Sequence, residues 1–223
     1  MSRQKVEALA AIYGAVDVLV RDLDEADFES ATGCAEFSVR DLLFHLMLDA
    51  QRALMAFADP LDAPPDTDAV TYWQKYVAGL EPDSARHVRF VRRSALAYEN
   101  PKGLVRHWAD TSRAAVSAAR RTDPDATVDT QGHRLKVEDF IDTLVVEATV
   151  HYLDLSQELL ANPIVPADAF AVTRATLERL VSVPLPSTWD DEAVVLKTTG
   201  RSPLTDEDRG VLGDGAAHIP VIR

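Results

Sequence analysis

The chain has 223 residues, 47% of them hydrophobic and 26% charged, proportions that exclude a disordered or fibrous protein. A length of this order buries a sizeable core without staples and suits one compact bundle with a small appendage. A formal net charge of −13 repels phosphate backbones, which argues against nucleic acid as a partner, and the single cysteine, Cys34, excludes an internal disulfide and a cysteine metal cluster.

Helical periodicity dominates the first 160 residues. Val6, Leu9, Ala10, Tyr13, Val16 and Leu23 follow three-and-four spacing and predict a helix over roughly 3–23. No apolar h-region stands at the N-terminus and no run reaches the roughly 18 apolar residues of a membrane span. The expectation is a cytoplasmic protein that does not engage a membrane. "FSVRDLLFHLMLDAQRALMAF" predicts a second helix, with Ser38 as N-cap and Asp41 three residues on as a weakened capping box. The proline- and aspartate-rich "DPLDAPPDTD" is a loop, and "AVTYWQKYVAGL" a short helix. "PDSARHVRFVRRSALAYENP" reads as a helix that Pro101 ends or kinks, and "GLVRHWADTSRAAVSAARR" as another. "TVDTQGHRL" is a short hairpin excursion around Gly132, and "KVEDFIDTLVVEATVHYLDLSQELLA" is the longest helical pattern, ended by Asn162-Pro163. Beyond it, "VPADAFAVTRATLERLV" is helical, "EAVVLKTTGR" carries a β-branched run that looks like a strand ending in a glycine turn, "PLTDEDRGVLG" is a short capped helix, and "HIPVIR" is a closing strand.

The segment "VVEATVHYLDL" sets Glu147 and His151 four positions apart among core residues, so both side chains point to one side of a helix. His45 sits in "LLFHLML", close to the buried face of the second helix. If the two helices face each other, the three groups converge. Two imidazoles and a carboxylate are a known ligand set for catalytic zinc, and bundle cores are a recognised place for such sites. The alternative is a plain hydrogen-bonded Glu147–His151 pair. The spacing is not H-E-x-x-H, so a protease of that type is not indicated.

"SVRDLLFHL" and "VVEATVHYLDL", with its E-x-x-x-H-x-x-D-L pattern, resemble the metal-binding domain of the mycothiol-dependent maleylpyruvate isomerase family, within the larger DinB-like group. The tail "WDDEAVVLKTTGRSPLTDEDRGVLG" resembles the C-terminal extension of such proteins of actinobacterial type. The resemblance implies a mainly α protein: a DinB-like four-helix bundle over 1–163, with a long crossover in its connectivity, and a small α+β extension over 164–223. It implies that His45, Glu147 and His151 hold a divalent metal, usually zinc, with one position open to water or a thiol. It implies a low-molecular-weight thiol of the mycothiol type as cosubstrate, and a small electrophile such as maleylpyruvate that is isomerised or conjugated. Asp154 matches the aspartate of the family's H-x-x-D and is expected to accept the other N–H of an imidazole, with a solvent-facing charge as the alternative. Phe37 stands where the family often has tryptophan, a change of packing. A sensor or interaction protein of the same fold, binding metal without turnover, is the competing reading, and a monomer or homodimer fits either.

Arg86, Arg89 and Arg93 share a helix face and are candidates for binding a carboxylate of substrate or thiol, against the alternative of a charge-balancing surface. Cys34 reads as a small loop residue, and His87, His107, His133 and His218 as surface or boundary residues without a partner at ligand spacing. Trp73, Trp108 and Trp189 are expected core anchors, and Arg201 a structural ion-pair partner, with a reach into the pocket as the alternative. No catalytic residue beyond the metal ligands is assigned.

Overall fold

The computed structural model describes residues 2–77, 82–157, 159 and 164–222. Four long helices form the bundle: α1 (Ser2–Val20), α3 (Val39–Ala58), α6 (Pro101–Ala119) and α7 (Val137–Ser156). Between them lie the short α2 (Glu25–Glu29), α4 (Thr71–Val77) and α5 (Pro82–Ala95), and a hairpin of β1 (Thr127–Thr130) and β2 (His133–Lys136). After the bundle come α8 (Ala167–Val181), α9 (Asp191–Thr198), α10 (Asp206–Leu212) and a 3₁₀ turn at Gly213–His218. No helix of the described residues is long and apolar enough to cross a membrane.

Packing runs α1 to α6, α6 to α3, α3 to α7 and α7 back to α1. Consecutive bundle helices α1 and α3 are therefore diagonal, as are α6 and α7, so the chain crosses the bundle rather than folding as successive hairpins. The crossover expected of the connectivity is present. α3 starts where the sequence sets a reciprocal cap: Ser38 accepts from the Asp41 amide and Asp41 from the Ser38 amide. Leu42, Leu43, Leu46 and Met47 of this helix are almost fully buried. Truncating such a leucine to alanine costs about 2–5 kcal/mol. α7 is buried on nearly every side, because α1, α3 and α8 all pack on it. That explains its uniformly apolar sequence. Trp73, Trp108 and Trp189 are buried, as expected of core anchors.

Several boundaries differ from the sequence reading. α1 ends at Val20, and Asp24 caps a separate short helix, α2, that periodicity does not reveal. Pro101 neither ends nor kinks α5, which stops at Ala95; it opens α6 behind the Asn100 cap, where its missing N–H costs nothing. The hairpin is as expected, turning through Gln131 and Gly132, both at positive φ, which suits the twist of a two-residue loop. The end expected for the short helix at Leu80 and the stop at Asn162-Pro163 lie outside the described residues.

The larger correction concerns the segment beyond 164, where α8 packs on α7 and α1. The described residues there hold no strand; the only sheet they form is the hairpin at 127–136. The β-branched run of "EAVVLKTTGR" is helix α9, started by Asp190, whose side chain accepts from the Ala193 amide. Thr198 and Thr199 turn their hydroxyls back to the Val194 and Val195 carbonyls, which accommodates them in a helix. "HIPVIR" is not a strand either. Pro220 has no N–H to give a ladder; among the described residues Ile219 N turns back to Ala216 O and Val221 N reaches Thr198 O, and no ladder forms.

Candidate metal centre

The site is built where α3 faces α7. His45 projects from the second turn of α3 beside the buried Leu42 and Leu46, and its Nε2 lies 3.0 Å from Glu147 Oε1. His151, one turn beyond Glu147 on α7, places its own Nε2 3.4 Å from the same oxygen. One donor atom from each of the three residues lies within 4.8 Å of the other two. Ligand atoms roughly 2 Å from one tetrahedral cation sit about 3.3 Å apart, close to the two imidazole–carboxylate separations here, so the three groups are a candidate set for a divalent ion.

Each imidazole is oriented from behind. His151 Nδ1 donates to Asp154 Oδ2 at 2.9 Å. Asp154 is itself buried and accepts from Arg201 Nε at 3.1 Å and Nη2 at 3.0 Å, while Arg201 Nη1 donates to Thr199 O. The link runs from α7 to the turn after α9, so the C-terminal segment sets the direction of one imidazole. Asp154 is thus no solvent-facing charge, and Arg201 is an ion-pair partner, as expected. His45 Nδ1 lies 3.3 Å from His87 Nε2, an imidazole of α5. His87 has no partner at ligand spacing in the sequence; it follows His45 by 42 residues, and the packing of α5 on α3 brings the two together.

Charge is concentrated here. Burial alone raises Glu147, yet hydrogen bonds from His151 and His45 hold its carboxyl well below the usual range. Burial alone lowers His151, but the hydrogen bonds to Asp154 and Glu147 raise it to about 10. His45 is lowered, burial outweighing its bond to Glu147. Burial also works against ionised Asp154, but His151 and Arg201 keep it below the ordinary carboxylate range.

Cys34 is closer to the site than its place in the chain suggests. A Cys34, a His151 and an Asp154 donor atom lie within 4.8 Å of one another. The loop before α3 folds back onto the end of α7, where Gly33 N donates to Asp154 O at 3.0 Å. A Cβ there would stand 2.5 Å from Gln157 Oε1 and 2.7 Å from Asp154 Oδ1, so any larger residue would have to displace these side chains. Burial pushes the Cys34 thiol up, away from the thiolate. Phe37, in the same loop, sets its ring 6.0 Å from His45.

The other sequence candidates fall elsewhere. Arg86, Arg89 and Arg93 are exposed, on the side of α5 opposite the buried Val91 and Ala95. His107 pairs with Tyr98 and Gln51. Tyr72 lies edge-on to His133, and His218 is exposed.

The fold and site define a class: a helical bundle whose core brings two imidazoles and a carboxylate to one point. A family model described as the mycothiol maleylpyruvate isomerase N-terminal domain matches residues 9–156, and the chain belongs to that family. No curated protein and no solved structure matches the chain. The matched span contains His45, Glu147, His151 and Asp154 and stops short of the tail, so the likeness seen in the tail lies outside it.

Proposed function

We propose that His45, Glu147 and His151 hold one divalent metal, zinc by preference, and that the protein uses a mycothiol-type thiol to isomerise a small electrophile such as maleylpyruvate or to conjugate it. The observation that carries this is the convergence of two imidazole Nε2 atoms on Glu147 Oε1, with both opposite nitrogens already engaged. When bound, such an ion acidifies a thiol so that it reacts as the thiolate.

The chain's own groups do the rest. Asp154, pinned by Arg201, keeps the proton of His151 on Nδ1 and leaves Nε2 directed at the site. His87 serves the same purpose behind His45. Phe37 and the turn that carries Cys34 lie beside the site, next to His45 and His151 respectively. The thiol adds across a conjugated double bond, the resulting single bond rotates, and elimination returns the thiol and the other isomer. Release of the adduct instead gives a conjugate.

The test is elemental analysis of protein purified without chelator, with mycothiol and maleylpyruvate supplied to the loaded protein. The expected outcome is about one divalent ion per chain and isomerisation, both lost in His45→Ala and His151→Ala. Protein that carries no metal and takes none up on titration would overturn the reading.

A further inference from the structure

Asp49 follows His45 by one turn of α3 and enters the same cluster. Its side chain is only 10% exposed. Oδ1 is in close contact with Arg52 Nη2. Oδ2 lies 3.5 Å from His45 Nε2, the nitrogen that also faces Glu147, yet it accepts no hydrogen bond among the described residues. A buried carboxylate oxygen without a donor is expensive, and nearly all such atoms in folded proteins have a partner. Asp49 is not among the three residues whose donor atoms lie mutually within 4.8 Å, so it stands beside the ligand set rather than in it.

We infer that Asp49 Oδ2 accepts a hydrogen bond from the exogenous ligand that completes the site formed by His45, Glu147 and His151; this rests on the metal reading above. A fixed negative charge at that point discriminates between two kinds of ligand. A neutral thiol arrives as RS–H, and Oδ2 is placed to accept its hydrogen and then take up the proton as the sulfur binds as the thiolate. An anion without a hydrogen meets only repulsion. Arg52 keeps Oδ1 occupied, so the oxygen nearer His45 is the one left for the ligand.

The experiment uses the cobalt(II)-loaded full chain, titrated separately with azide and with 2-mercaptoethanol, binding being read from the visible and near-ultraviolet bands of the ion. Wild type is compared with Asp49→Asn, which keeps the shape of the side chain, and with Asp49→Ala as a second variant. Cobalt is expected still to bind, about tenfold more weakly, because the three donors remain while a neighbouring carboxylate is lost. Azide is expected to bind about tenfold more tightly in both variants, and 2-mercaptoethanol more weakly, since a charge is removed beside one ligand and an acceptor from the other. Two ligands moving in opposite directions is a result that general loosening of the site does not produce. Azide and thiol affinities both unchanged, or both moving the same way, would overturn the inference while leaving the metal reading intact. Loss of cobalt binding on Asp49→Asn would also overturn it, by making Asp49 a ligand. Wild type that takes up no cobalt would remove the metal reading and this one together.

Discussion

Asp154 holds His151 from behind and is itself held by Arg201: the carboxylate lies 2.9 Å from the imidazole Nδ1 and within 3.1 Å of two guanidinium nitrogens. A residue of the tail thereby fixes a donor in the bundle. Arg201→Ala leaves a buried carboxylate short of its counter-ion, and removing one partner of such a pair costs about 3–5 kcal/mol. Urea unfolding is expected to show a loss of that size. Zinc affinity, measured by chelator competition, is expected to fall about tenfold, and Asp154→Asn about 10–100-fold. Variants with wild-type zinc affinity would show that the tail does not govern the site.

His87 offers a parallel case on α5. Replacement by alanine is expected to lower zinc affinity about tenfold, because His45 Nδ1 loses its acceptor, while glutamine, with a carbonyl oxygen, recovers part of it. A merely structural role would leave glutamine and alanine equal in chelator competition.

The pH dependence follows from His151. Its imidazole is raised to about 10 from 6.5, so the stabilisation it brings is fully present below pH 6.5 and is lost as the pH climbs through 10. Metal-free protein is therefore expected to lose stability between those values, and His151→Asn to lose this dependence. Glu147 and Asp154, both lowered, act in the opposite sense: their contribution is present at neutral pH and is lost in acid, as each takes up its proton below the ordinary carboxylate range. Because zinc must displace the His151 proton, its affinity is expected to rise roughly tenfold per pH unit between 7 and 9, with about one proton released per ion in calorimetry.

Gly33→Ala is expected to destabilise the protein by about 1–3 kcal/mol, as the new methyl group meets Asp154 and Gln157. Zinc affinity falls with it if the displaced loop drags Asp154. The measurements are urea unfolding and chelator competition on the same preparation.

Much of this site was legible because its signals are local. Glu147 and His151 are one helical turn apart, and a histidine amid leucines at position 45 marks itself as a polar group in a core. The role of Asp154 is what the resemblance implies, through its match to the family's H-x-x-D, and not something its spacing alone shows. The rest depends on tertiary approach. His87 reaches His45 only through the packing of α5, and Cys34 reaches His151 because its loop folds over the end of α7. Asp49 carried no signal beyond its i+4 relation to His45. The tail departs from its sequence pattern for a different reason. Val194, Val195 and Thr198 have strand propensity, but the Asp190 cap and burial against the protein outweigh it.

The packing of α3 against α7 has a consequence for biosynthesis. His45 and Glu147 are 102 residues apart in the chain, and the helix bearing Glu147 is the last of the four to leave the ribosome. A nascent polypeptide can present His45 long before it can present Glu147 or His151. The donor set is therefore completed only as the bundle itself closes, and any ion it captures then cinches two distant stretches of the polypeptide, opposing their separation as a long-range cross-link does.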